Sequence, residues 1–210
     1  MTRKFSDKEK AFYQKKLLKN ATKLFSQLGF KKTSIQDITD AAGIAKGTFY
    51  HFFSSKEEIL FSVLEEQEKF RDKLLQELKD SQQDAEFVLK KLLSDSLQEA
   101  AENKIFKMFY NENLVEKLYL KLSKERIDQH FQEDFKSSKA FIEYFQQNSI
   151  LIDAEPQIIV GLLRGFFMLP LHKKEIGEDI YEEVMALFVK VLTKELIKNE
   201  VQAWSQLKIY

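Results

Sequence analysis

The twenty-four residues TSIQDITDAAGIAKGTFYHFFSSK, at 33–56, restrict the fold of this chain more than any other stretch. Ser34 with Asp37 three residues later is a helix-start pattern, in which hydroxyl and carboxylate cover the open N–H groups of a first turn. Ile35, Ile38, Ala41 and Ala42 then share one apolar face at helical spacing. Gly43 stops that helix, because a residue tolerant of positive φ closes it cheaply. Ile44 anchors the turn, and the pattern predicts a second short helix over about Lys46 to Phe53. Phe49, Phe52 and Phe53 turn inward, which leaves Lys46, Thr48, Tyr50 and His51 as hydrogen-bonding groups on the outer side. Two short helices joined by a tight glycine-containing turn make a helix-turn-helix, whose second helix is shaped for the major groove. Ser55 with Glu58 predicts a second capping box opening a long helix. Lys56 stands in its first turn, a poor place for a cation against the helix dipole. A bound phosphate would give that position a reason.

The rest of the composition points to helices. Two prolines and six glycines in 210 residues leave little for turn-rich sheets, and 44% hydrophobic residues supply ample core. The expected fold is all-α: a three-helix head with a helix-turn-helix, then a larger helical body, about nine helices in all. The absence of cysteine excludes disulfides and thiolate metal sites. No apolar run approaches the ~18 residues of a membrane span, and the charged start MTRKFSDKEK has no signal-peptide core. A soluble, cytoplasmic protein with no membrane partner is therefore expected. The formal net charge is zero but unevenly spread: residues 1–56 hold twelve Lys/Arg against four Asp/Glu, a balance of +8, and the remainder carries −8. A basic head suits phosphate, while an acidic body avoids it.

The ordered run Thr-Ser-Ile, Ala-Gly-Ile, Lys-Gly-Thr-Phe-Tyr, Phe and Ser-Lys-Glu-Glu resembles the DNA-binding signature of the tetracycline-repressor (TetR/AcrR) family of bacterial regulators, from about Leu17 to Leu64. One departure is Ala45, where the family often has Ser, so one capping or phosphate-facing hydroxyl is missing. The resemblance implies phosphate contacts from Thr33, Tyr50 and Lys56, and an approach to base edges by Lys46, Gly47, Thr48 and His51. Gly47, lacking a side chain, would let the backbone come close. It also implies a homodimer formed by the last two helices, a double-stranded DNA operator, and a small-molecule effector in a body cavity, with no cofactor.

Along the chain, helix one is expected over Asp7–Leu28, closed by Gly29. Residues 1–56 form the head, helix four (56–81, about 40 Å at ~1.5 Å per residue) connects, and 82–210 form the ligand-binding and dimerisation domain, with the boundary at SQQD, 81–84. In the body, Asp84 opens a helix with Phe87, Val88, Leu92 and Leu97 inward. Further helices are expected over Asn103–Glu112, Lys124–Gln147, Asp153–Leu171 and Gly177–Asn199, with 113–123 ambiguous and the tail VQAWSQLKIY unassigned. Ten of nineteen Phe residues lie in this body. Most are expected in the core, and an effector would meet Phe106, Phe109, Tyr110, Asn111, His130, Phe131, Arg164 and Phe167. Gly161 and Gly165, a small-residue pair on an apolar helix, join Val184, Phe188 and Val191 as the candidate dimer face. His51, His130 and His172 are too scattered for a metal centre, and no nucleotide loop or nucleophile elbow occurs, so neither a metal nor a catalytic residue is expected. The competing readings are a DNA-binding dimer without inducer, or, from another class, a helical lipid carrier or bundle enzyme with an incidental basic head.

Overall fold

The computed structural model describes residues 5–79, 84–112 and 114–198, without the side chains of 70–75, 77–79, 85, 110 and 111. The tail from 199 and most of the SQQD boundary lie outside these residues. The described elements are helical: α1 (Asp7–Leu28), α2 (Ile35–Ala42), α3 (Lys46–Phe49), α4 (Lys56–Lys79), α5 (Ala85–Glu102), α6 (Lys104–Glu112), α7 (Leu114–Lys121), α8 (Lys124–Gln147), α9 (Pro156–Met168), a 3-10 turn (Leu169–His172), α10 (Lys173–Ile176) and α11 (Tyr181–Leu196). An all-α fold is what the sequence predicts. The elements beyond the expected nine are short: α7 fills the ambiguous 113–123 stretch, and α10 follows the turn at Pro170.

Local chemistry sets the helix ends. Ser6 and Glu9 cap α1 reciprocally, and Gly29, at φ 82, ends it. The Asp84 carboxylate accepts from the Glu86 and Phe87 N–H groups to open α5. Asn103 does the same for α6 through the Ile105 N–H, at 2.8 Å. Pro156 occupies the first turn of α9, where its missing N–H costs nothing. That helix stops at Met168 rather than Leu171, since Pro170 has no N–H to continue the α-ladder and tightens the next turn to 3-10.

By packing, the described residues divide into two units. The first gathers residues up to Phe70 with Glu99–Gln129. Its core stacks Leu17, Ala21 and Phe25 of α1, Ile38 and Ala42 of α2, Phe49 of α3, Phe53, and Ile59, Leu60 and Val63 of α4. Ile105, Met108 and Phe109 of α6 and Leu114 and Leu118 of α7 complete it. Four short or amphipathic helices alone bury little area, and the α6–α7 pair adds the missing apolar cover. At Gly29 a Cβ would come within 2.8 Å of the Glu112 carboxylate, so the absent side chain admits the C-terminus of α6. Arg126, at the start of α8, forms a two-pronged pair with Glu65 of α4 and lies over the Phe61 ring at 4.8 Å.

The second unit gathers Arg71–Gln98 and the residues from His130 on. Val88, Leu89, Leu92 and Leu93 of α5 pack with Ile142 and Phe145 of α8, Ile159, Val160 and Phe166 of α9, and Tyr181, Met185, Val189, Leu192 and Leu196 of α11. An antiparallel bridge between Leu151 and Ile197 ties the end of α11 to the loop after α8. Phe87, expected inward, is 51% exposed. The buried stripe of α5 runs through positions 88, 89, 92 and 93, and Phe87 falls one residue outside that arc.

Candidate nucleic-acid interface

The helix-turn-helix is built as its capping signals require. The Ser34 hydroxyl accepts the Asp37 N–H at 3.1 Å, and the Asp37 carboxylate accepts the Ser34 N–H at 2.8 Å. The Ser34 hydroxyl, then the Ser34 backbone, holds the Asp37 carboxyl below its ordinary range. Gly43, at φ 61 and ψ 42, turns the chain out of α2 in the left-handed region. Ala45 then stands at the N-cap of α3 with no side-chain bond, as its methyl must.

The second helix is shorter than expected. It is regular over Lys46–Phe49 and continues to Phe53 only as tight turns, with Phe52 and Phe53 N–H groups both reaching the Phe49 carbonyl. Phe49 and Phe53 are buried and Phe52 half-buried, which pins the segment by its inner side. Replacing a fully buried Phe by Ala costs about 3–5 kcal/mol, so the platform is firmly seated. Lys46, Gly47, Tyr50 and His51 are exposed and Thr48 half-exposed. A Cβ at Gly47 would meet nothing within 4 Å, so its backbone faces open space. Five of the seven predicted DNA contacts therefore share one outward surface.

Thr33 and Lys56 are placed differently. Thr33 is 1% exposed, and its hydroxyl donates to the Gly29 carbonyl at 2.8 Å. Its side chain closes the α1–α2 loop instead of facing a phosphate, because a buried hydroxyl needs an internal acceptor. The Lys56 ammonium donates to the Phe30 and Thr33 carbonyls, each at 2.9 Å, and stands 4.1 Å from the Phe30 ring centre. Those carbonyls, missed in the sequence, explain a cation in the first turn of α4. Burial lowers the Lys56 pKa, against the opposing pull of Glu57 and Glu112. One of its three N–H groups is left for an outside acceptor. The Ser55–Glu58 box also differs: the Ser55 hydroxyl accepts the Glu58 N–H, but the Glu58 carboxylate turns to Ser54.

A family model described as bacterial regulatory proteins, tetR family, matches residues 17–63. Over that segment the chain resembles the tetR family. Its family segment runs from the buried stripe of α1 into the first turns of α4. Over 51 residues the chain is 45% identical to the uncharacterized HTH-type transcriptional regulator YuxN of Bacillus subtilis, covering 24% of this chain and 18% of that protein. Over 48 residues it is 46% identical to the HTH-type transcriptional repressor KstR2 of Mycolicibacterium smegmatis, covering 23% of each. The chain thus spans less than a quarter of the length of these curated relatives. A tetR-family transcriptional regulator from Pectobacterium atrosepticum superposes with TM-score 0.69, at 23% identity, over 93% of this chain and 100% of that one. The fold extends well beyond the matched head.

The expected effector residues belong partly to the first unit and partly to the second. Phe109 is buried in the first unit's core, and Phe106, in the same unit, is half-buried. The side chains of Tyr110 and Asn111 lie outside those described. In the second unit, Arg164 pairs with Asp134 at 2.9 Å and lies 4.7 Å from the Phe131 ring, which neighbours His130 at 5.5 Å. Arg164 and Phe167 line a cavity with Leu92, Asp134, Ser138, Phe141, Ile142, Val160 and Leu163. It measures about 30 Å³, room for a water or two, against roughly 300 Å³ or more for a drug-sized pocket.

The dimer candidates all lie on outward faces. Gly161 and Gly165 face open space on α9, with Ile158, Leu162 and Met168 exposed beside them. On α11, Leu187 is 60% exposed, and Phe188 and Val191 are exposed with it, while Val184 is half-exposed. The side of α11 that carries Val184, Phe188 and Val191 is therefore largely its outer face. Among the described residues, no helix is long and apolar enough to cross a membrane.

Proposed function

We propose that the chain is a cytoplasmic, homodimeric transcription regulator, a repressor, that binds duplex DNA at a two-fold symmetric operator. The observation that carries this reading is the outward group Lys46, Gly47, Thr48, Tyr50 and His51 on a segment pinned from behind by Phe49 and Phe53. In that reading Lys46, Thr48 and His51 meet base edges. Gly47 admits the backbone to the groove, and Tyr50 and the remaining Lys56 N–H meet phosphate. The repressor designation of the M. smegmatis relative supports the sense of regulation. The +8 balance of residues 1–56 supplies the electrostatic attraction.

The outer apolar faces of α9 and α11 support dimerisation, since such faces on separate helices of one unit are costly to leave in water. A two-fold contact there would set two reading segments about 34 Å apart, one helical turn of duplex. An effector would act by preferring one spacing, and it can shift the equilibrium only by its differential affinity.

Selection of bound duplexes from a random pool tests the proposal. A consensus with two-fold symmetry, and affinity that falls steeply with salt, is expected. Absence of any salt-dependent duplex binding would return the field to a helical carrier.

A further inference from the structure

We infer that Phe5, which lies before α1 and outside the family segment, is a positioning residue for His51, and this rests on the DNA-binding reading. The Phe5 ring stands edge-on to the His51 imidazole at 6.0 Å between centroids and 67° between planes. It also meets Phe52 at 5.9 Å and Tyr13 of α1 at 5.4 Å. Phe5 therefore bridges α1 to the turn that follows α3.

His51 depends on that contact for its orientation. Its backbone N–H donates to the Thr48 carbonyl at 3.2 Å, which fixes the main chain but not the ring. Among the described residues, neither imidazole nitrogen makes a hydrogen bond, and the Phe5 ring packs edge-on against the imidazole. An aromatic pair at this distance and tilt favours one ring setting over others. It confines the side chain while leaving both nitrogens open to an outside partner. One ring N–H is then available to a major-groove acceptor such as a guanine N7.

A side chain held in its bound rotamer loses less freedom on association, a saving of about three- to tenfold in affinity. Because the effect acts through a base contact, it falls on specific binding and leaves the phosphate-driven background alone.

The experiment compares Phe5→Ala, His51→Ala and the double variant of the full chain, on the selected operator and on a scrambled duplex of equal length. Phe5→Ala is expected to weaken operator binding about three- to tenfold, with scrambled-duplex affinity unchanged. In the His51→Ala background it should do nothing more. Phe5→Trp, which keeps an aromatic edge, should restore most of the loss. Additive losses from the two single variants would overturn the inference, as would equal losses on both duplexes. In the protein without DNA, nuclear Overhauser contacts between Phe5 and His51 ring protons are expected, and their absence would overturn the positioning whatever the DNA result. If the unaltered chain binds no duplex, the DNA reading itself fails, an outcome distinct from a binding-competent chain indifferent to Phe5.

Discussion

The ammonium of Lys56 lies 2.9 Å from the carbonyl oxygen of Thr33, so the first turn of α4 holds the loop that leads into α2. With the Phe30 carbonyl, which also accepts the Thr33 N–H at 3.3 Å, at the same distance, one cation bonds two carbonyls of the α1–α2 loop. Hydrogen bonds from a charged donor contribute about 1.5–3 kcal/mol each, and leaving such acceptors half-buried and unmatched is costly. Lys56→Met is expected to lower unfolding free energy by about 2 kcal/mol, read from urea midpoints at constant slope. A midpoint equal to that of the unaltered chain would remove this role.

Gly47 separates folding from binding. A Cβ there meets nothing within 4 Å, so Gly47→Ala should fold at least as stably, with a gain of up to about 1 kcal/mol for an alanine in a helical turn. Operator affinity should nevertheless fall by about tenfold or more, since the added methyl would occupy space the duplex backbone or base edges need. Thermal midpoints and titrations on one preparation check both halves.

Tyr50 and Thr48 are expected to divide the labour of binding. Tyr50 is 52% exposed at the end of α3, and Thr48, two residues earlier, is half-exposed. Tyr50→Ala is expected to weaken all duplexes alike, whereas Thr48→Ala changes base preference at one position of each half-site. Repeating the duplex selection with each variant measures this. An identical consensus for Thr48→Ala would count against a base contact.

Asp37 ties the first helix of the motif to pH. Ser34 lowers its folded pKa, so the carboxylate's stabilising contribution is complete above the ordinary aspartate range. That contribution is lost as pH falls through the depressed folded value. Ser34→Ala, which removes the cap, should cost about 1 kcal/mol near neutral pH. Asp37→Asn should also destabilise near neutral pH, and its difference from the unaltered chain should vanish in acid. Unfolding curves across that range would show it.

Leu187 and Phe188 test the assembly. Both are exposed on α11, so Leu187→Asp should leave the monomer folded and shift sedimentation from dimer to monomer. Helical circular dichroism should be unchanged, and half-site cooperativity should disappear with the dimer.

Much of the reading head is legible in order along the chain. Ser34 with Asp37, Gly43, and the inward Phe49 and Phe53 act within a few residues of one another, and each is placed as its pattern requires. Less local features are not legible. The Glu58 carboxylate chose Ser54 over Ser55, and the second helix relaxed into turns after Phe49, because the chain must bend to bury Phe53. Phe87 and Phe109 show the same limit in apolar residues. A phenylalanine has equal reason to enter any core, and its neighbours in space decide between an exposed edge and full burial.

From the order of residues alone come the helical class, the capped start of α2, the outward set at positions 46, 47, 48, 50 and 51, and the uneven charge. These depend on interactions between residues at most four apart, or on composition, and such interactions are written directly in the chain. Only the tertiary structure decided that Lys56 serves the α1–α2 loop, that α6 and α7 complete the first core, and that Phe5 meets His51. Those pairs are separated by many residues, and no periodicity or cap records which distant surface a side chain will find once folding has excluded water.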